Sequence, residues 1–219
     1  MVPMRLFAAV WPPDEVLDHL DLALATVRGG PAGASTAVRW SARETWHLTA
    51  AFYGELPDGA VPGLTADLAA AARTTRPYSL TLRGAGVFSH RTMWVGVGGD
   101  VDAQRALSAA CVAAGVEAGA VPDRRPRDRP HLTVARIRPG ARPPRRGASR
   151  PGRATGPAEG GGARGPRTDE EVARGVARAL AVYQGPSWQV DALQLVESRP
   201  GAGRGGGPLY EVVDELPFG

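Results

Sequence analysis

From Leu6 to Trp11 the chain runs Leu-Phe-Ala-Ala-Val-Trp without a polar break, the mark of a buried strand, and stops at Pro12 and Pro13. Beyond the prolines, Val16, Leu17, Leu20, Leu24 and Val27 recur at helical spacing, so a strand is followed by an amphipathic helix. Strand patterns return near "AVRW" (37–40) and through "TWHLTAAFYG" (45–54), then a helix from about Leu64 to Ala72. "YSLTLRGAGVF" and "TMWVGVG" are two strands separated by Ser89, His90 and Arg91, which predicts a tight turn. A helix from Asp102 to about Glu117 leads to the strand "HLTVARI" (131–137). Thr168 and Glu171 have capping-box spacing ahead of Val172, Val176 and Leu180, which predicts a last helix. "WQVDALQLV" and "LYEVVDEL" then read as two closing strands. Strands and helices do not alternate one for one and several strands join through tight turns, so the fold class is α+β with mostly antiparallel sheets.

Between these patterns lies a stretch of another kind. Residues 139–167 hold eight Gly, six Pro, seven Arg and five Ala, with no aromatic or branched aliphatic side chain. Such a segment buries too little apolar surface to offset its conformational entropy and is predicted to be a disordered insert in one domain spanning 1–219. Its arginines read as a solvated tether, with a nonspecific RNA-binding arm as the alternative.

Charge sharpens this division. The net charge is +4, and every one of the 26 basic residues is Arg. Residues 124–167 carry 13 Arg against Asp128 and Glu159, for +11; the rest carries 13 Arg against 20 acids, for −7. The body is acidic and one segment holds the basicity. The single cysteine, Cys111, lies in an Ala-rich helical run and reads as a small core residue. No apolar run is long enough for a membrane span or a signal peptide, which predicts a cytoplasmic protein without a membrane partner.

Two of the four histidines share one setting. "HLT" occurs at His47, Leu48 and Thr49 and again eighty-four positions later at His131, Leu132 and Thr133. In an extended strand, residues i and i+2 point to one face, so each copy presents an imidazole beside a hydroxyl while its leucine faces a core. Two such strands across one cleft place two imidazoles at a single centre. That arrangement suits an in-line displacement at phosphorus, with one imidazole as base, the other as acid and two hydroxyls on the phosphate oxygens. It needs no metal. "GAGRGG" at 201–206 matches a dinucleotide-binding spacing but precedes a strand pattern, so it reads as a hairpin loop.

With "MRLFAAVWPP", "VRWSARETWHLTAAFYGELP", "RTMWVGV", "RPHLTVARIR", "VESRPG" and "PLYEVV", the chain resembles the RNA 2′,3′-cyclic phosphodiesterases, or 2′-5′ RNA ligases, of the two-histidine (2H) phosphoesterase superfamily. The resemblance implies two pseudo-symmetric lobes whose sheets face a central cleft, with helices outside. It implies metal-independent, cofactor-free hydrolysis of RNA 2′,3′-cyclic phosphate ends to 2′-phosphates by a monomer, with reversible 2′-5′ joining as a side activity. His131 would activate the water, His47 would protonate the departing 3′ oxygen, and Thr49 and Thr133 would hold phosphate oxygens. Phe52 and Arg136, each five residues past its histidine, resemble positions that stack on a base and contact the phosphate. Strict alternation puts i+5 on the opposite face from i, so these two need a bulge, a strand end or side-chain reach. The family pattern begins at Met-Arg, which points to Met4 as initiator. Alternatives are a related esterase acting on a small cyclic nucleotide or a 2′-5′ linkage, and a non-catalytic module that binds RNA ends.

Overall fold

The opening apolar run forms β1 (Pro3–Val10), and the stripe after the prolines forms α1 (Asp14–Arg28), entered through an extended Pro13. Then follow β2 (Val38–Trp40), β3 (Leu48–Pro57), α2 (Val61–Thr74), β4 (Tyr78–Phe88), β5 (Thr92–Gly99), α3 (Val101–Glu117) and β6 (His131–Ile137). The chain closes with α4 (Asp169–Ala179), β7 (Gln184–Val190), β8 (Ala192–Arg199) and β9 (Leu209–Pro217). The computed structural model describes residues 3–30, 34–121, 129–138 and 169–219; the insert at 139–167 and Thr168 of the capping box lie outside them.

The predicted elements are present, with two differences. "WQVDALQLV" is not one strand: the chain breaks at Asp191 into β7 and β8, which join different parts of the sheet. Trp46 and His47 precede β3 instead of lying in it, because a short 3-10 turn at Arg43–Thr45 delivers them to the strand. The turn after β4 is as expected. Ser89 and His90 both take left-handed backbone, φ 47° and 59°, as the two central residues of a type I′ turn that the Arg91 N–H closes by donating to the Phe88 carbonyl oxygen at 2.9 Å. "GAGRGG" lies in the β8–β9 connection, where Gly201, Gly205 and Gly206 have positive φ.

All the described strands belong to one sheet, in the order β7-β4-β5-β6-β3-β1-β8-β9, with β2 pairing β6. Each of these pairings is antiparallel. The two expected lobes are therefore two halves of one sheet, and they meet at β3 and β6 through a single register pair, Leu48 opposite Leu132. The middle residue of each HLT triplet makes the seam.

The helices brace this seam crosswise. α1 follows β1 of one half yet packs on β7 of the other, whereas α3 follows β5 and packs on β3. The remaining pair stays at home, α2 against β8 and β9, and α4 against β4 and β5. The α3–β3 contact is close because Gly115 has no side chain: a Cβ there would overlap the Tyr53 ring. Tyr53 donates its hydroxyl hydrogen to the Cys111 carbonyl oxygen at 3.2 Å. Cys111 is fully buried, and burial pushes its thiol up to about 12, so it is a packing residue and not a reactive one.

The main core includes Leu6, Ala8, Val10, Leu48 and Leu132 on one side of the sheet. Phe7, Ala9 and Val196 form a separate apolar cluster, with Trp11, Phe52 and Tyr210 packed against it. Alternation along β1 thus sends even residues to the core and odd residues to the other face, where the histidines stand.

Candidate active site

The Leu48–Leu132 pair fixes how the two triplets meet. Because the strands run antiparallel through it, one step outward on either side sets His47 beside Thr133 and Thr49 beside His131. Both leucines are almost completely buried, at 1% and 0% exposure, while the His and Thr of each triplet are half-buried on the opposite face. The residues that the HLT repeat singled out come together at one centre.

Each imidazole is held in the same way. His47 Nδ1 lies 2.8 Å from the carbonyl oxygen of Thr45, and His131 Nδ1 lies 2.9 Å from that of Arg129, in both cases two residues back. A carbonyl can only accept, so Nδ1 carries the proton and donates it, and in the neutral ring Nε2 is the basic nitrogen. Nε2 of His47 then accepts from the Thr49 hydroxyl at 3.1 Å. The 3-10 turn before β3 aims that Thr45 carbonyl. It is held to α1 by Arg43, whose guanidinium reaches Asp14 at 3.0 Å and Asp18 at 2.5 Å.

Aromatic rings wall both histidines. Phe7, Trp11 and Tyr210 have ring centres 4.9, 4.8 and 5.3 Å from His47. Phe88 and Trp94 stand 4.8 and 6.2 Å from His131. Trp94 lies flat against the sheet because Gly86 has no side chain: a Cβ there would overlap the indole. Sequence reading missed these walls, although Phe7 and Trp11 occupy the odd positions of β1 and its extension and could have been assigned to the face opposite Leu6, Ala8 and Val10.

Phe52 and Arg136 reach this face by means of the irregularity that strict alternation required. Along β3, Ala51 pairs Ala8 and Thr49 pairs Ala9, so Ala50 is skipped. Along β6, Ala135 pairs Met93 and Thr133 pairs Trp94, so Val134 is skipped. Each skipped residue is the third after its histidine. The two bulges make residues i+3 and i+4 both point inward, and Ala50, Ala51, Val134 and Ala135 are all buried. The fifth residue then returns to the face of the histidine. Phe52 packs with the Phe7 cluster, and the charge of Arg136 acts on both His47 and Tyr210.

Burial pushes the pKa of His47 down to about 4, against its Thr45 hydrogen bond, and the charges of His131 and Arg136 push the same way. His47 is therefore neutral in the empty cleft at pH 7. The consequence for stability has a definite sign. Below pH 6.5 the unfolded chain takes up a proton that the native imidazole refuses, so native stability falls as pH drops from about 6.5 towards 4; above that window neither state binds the proton. Urea unfolding at pH 7.5 and pH 5 should show the wild type losing up to about 2 kcal/mol more than His47→Gln between the two conditions. Equal losses would show that His47 does not carry this linkage.

Among the described residues no three His, Cys, Asp or Glu side chains converge in a way that could hold a metal ion, and no helix is long and apolar enough to cross a membrane.

Other proteins resemble this chain in sequence and in shape. An RNA 2′,3′-cyclic phosphodiesterase of Geobacillus stearothermophilus is 36% identical over 115 residues, 49% of this chain but only 35% of that protein. The RNA 2′,3′-cyclic phosphodiesterase of Methanothermobacter thermautotrophicus is 29% identical over 143 residues, covering 62% of this chain and 72% of its own length. Among solved structures, Escherichia coli LigT complexed with 3′-AMP superposes with a TM-score of 0.64 at 19% identity, covering 100% of this chain and 99% of that one. A Thermus thermophilus protein gives 0.63 at 24% identity, covering 98% of both chains. At these identities the two structures speak for a common fold. The family model of the 2′-5′ RNA ligase superfamily aligns with residues 12–144, a span that holds both HLT strands and their seam, and the chain belongs to that superfamily.

Proposed function

We propose that this protein hydrolyses the 2′,3′-cyclic phosphate ends of RNA to 2′-phosphates by a metal-independent reaction between His47 and His131. The observation that carries the reading is the mirrored pair of imidazoles, each with Nδ1 on the carbonyl two residues back and with a threonine hydroxyl beside it, meeting at Leu48–Leu132. Binding alone has no need for two titratable groups held in matched tautomers. The two relatives that carry the name of this activity support the choice of substrate.

In the proposed reaction the cyclic phosphate lies between the imidazoles, with Thr49, Thr133 and Arg136 on its non-bridging oxygens and the terminal base on Phe52. His131 Nε2 takes a proton from water as the water oxygen bonds to phosphorus. The bond from phosphorus to the 3′ oxygen breaks, and His47 Nε2–H protonates that oxygen. A 2′-phosphate leaves, and the two rings exchange one proton with solvent to reset. For this His47 must gain a proton that it lacks in the empty cleft; the phosphate anion supplies the charge that raises its pKa. With a 5′-hydroxyl in place of the attacking water, the same groups would open the cyclic phosphate at its 3′ oxygen and join the end in a 2′-5′ linkage, and the reverse reaction would break that linkage with return of the cyclic phosphate.

The test is hydrolysis of adenosine 2′,3′-cyclic phosphate in the presence of a chelator, with the product resolved by chromatography. Adenosine 2′-phosphate as the dominant product is expected. Activity abolished by the chelator, or a 3′-phosphate product, would overturn the proposal.

A further inference from the structure

We infer that Arg5 and the hydroxyl of Tyr210 form a second phosphate subsite, which takes the phosphodiester on the 5′ side of the terminal nucleotide of a single-stranded RNA. This rests on the function proposed above and adds to it a reason for the enzyme to act on chains in preference to mononucleotides.

Arg5 sits on β1 two residues before Phe7, so alternation places it on the cleft face together with Phe7 and Ala9. Its guanidinium lies over the ring of Phe52, 4.8 Å from the ring centre. Several arginines elsewhere are committed to carboxylates: Arg28 to Asp21, Arg43 to Asp14 and Asp18, Arg105 to Asp102, and Arg199 to Glu197 and Glu211. Arg5 makes no ion pair to a described residue, even though Glu55 is its register partner on β3. A guanidinium kept out of an available ion pair and stacked on an aromatic ring is preorganised for a planar, doubly hydrogen-bonded contact with a phosphate.

Tyr210 supplies the second group. Its ring is fixed against Phe7 and His47, at 5.0 and 5.3 Å, and burial raises its pKa, so the phenol remains a hydrogen-bond donor. The hydroxyl donates to no described residue. It shares a row of the sheet with Arg5, since Tyr210 pairs Ser198 on β8 and the register that sets Leu6 opposite Glu197 runs on to Arg5 and Ser198; the charges of Arg5 and Arg136 both act on it. Those two cations are at different depths. Arg136 lies on β6, the strand of His131, whereas Arg5 lies on β1 two residues before Phe7 and four before Ala9, whose register partners on β3 are Phe52 and Thr49. Arg136 thus belongs to the reacting phosphate, and Arg5 marks a position farther out along the cleft, past the ring on which the terminal base is placed. A chain whose terminal phosphate is between the histidines carries its next negative charge outward from there, and a phenol donor with a guanidinium that no described carboxylate pairs is what that charge would meet.

The measurement is calorimetric binding of three product-like ligands: adenosine 2′-phosphate, the dinucleotide ApA bearing a terminal 2′-phosphate, and the same dinucleotide with an uncharged methylphosphonate linkage. The wild type should prefer the charged dinucleotide over its neutral counterpart about tenfold. In Arg5→Gln that ratio should fall to within about twofold, with Arg5→Lys between. On single-stranded RNA the slope of log affinity against log salt should become shallower by about 0.7 in Arg5→Gln, the value of one lost phosphate contact. A ratio unchanged by the substitution, including equal weakening of both dinucleotides, would overturn the subsite and leave Arg5 as a cap on Phe52. A wild type that binds adenosine 2′-phosphate without distinguishing the two dinucleotides overturns the subsite alone; a wild type that binds none of the three overturns the proposed function with it.

Discussion

His47→Ala and His131→Ala should each lower the rate of cyclic phosphate hydrolysis by about 100- to 10,000-fold, and one change of substrate should separate them. Removing a general acid or base costs that much because the proton must then move to or from water with no positioned partner. An acid is needed only when the leaving oxygen is basic. On a nucleoside 2′-(p-nitrophenyl phosphate), whose leaving group departs as a stable phenolate, the variant that lacks the acid should recover most of its loss and the variant that lacks the base should not. With the roles proposed above, the rescued variant is His47→Ala. Rescue of His131→Ala in its place would exchange the two assignments and would suit the low pKa of His47, since a ring neutral at pH 7 is ready to act as a base. Near wild-type activity of either variant on the cyclic phosphate would remove the acid–base pair altogether.

Leu48→Ala and Leu132→Ala should each destabilise the protein by about 2–5 kcal/mol in urea unfolding, although neither residue touches substrate. Both side chains are buried in the main core and face each other across the one register pair that unites the halves of the sheet. Truncating either removes apolar contact and opens a cavity where no other β3–β6 register pair stands in reserve among the described residues. The double variant should cost less than the sum of the two, because the second truncation enlarges a cavity already made and breaks the same contact. Strict additivity would mean that the leucines pack independently and that the seam is held elsewhere. Activity should fall more than stability at a temperature where both variants remain folded, because the imidazoles are positioned by the backbone on either side of these leucines.

The strands that bear the two HLT triplets were legible in the sequence because period two is a local property: His47 with Thr49 and His131 with Thr133 needed only extended backbone. The bulges were not legible. Ala50-Ala51 and Val134-Ala135 are small or aliphatic residues that fit either face, and only the neighbouring strand, through Ala8 and Ala9 or Met93 and Trp94, reveals which residue is skipped. The face of Phe52 and Arg136 depended on that count. The break at Asp191 was hidden for a similar reason, since apolar alternation continues through it while the chain passes from one half of the sheet to the other. Tyr210 was missed because its role comes from Phe7 and His47, residues far upstream in the chain. The stripe on α1 said that the helix is buried, but not that the other half of the sheet receives it.

That exchange of helices decides how the protein can come apart. Had each half kept its own covering, the Leu48–Leu132 seam would be a hinge and each half a folding unit. With α1 lying across β7 and α3 across β3, opening the cleft strips both halves of their apolar cover together. Loss of the paired histidines and loss of the core are then one event. Recovery of activity during refolding should keep step with recovery of buried tryptophan, and a chain cut between α3 and β6 should yield two fragments that fold only in each other's presence.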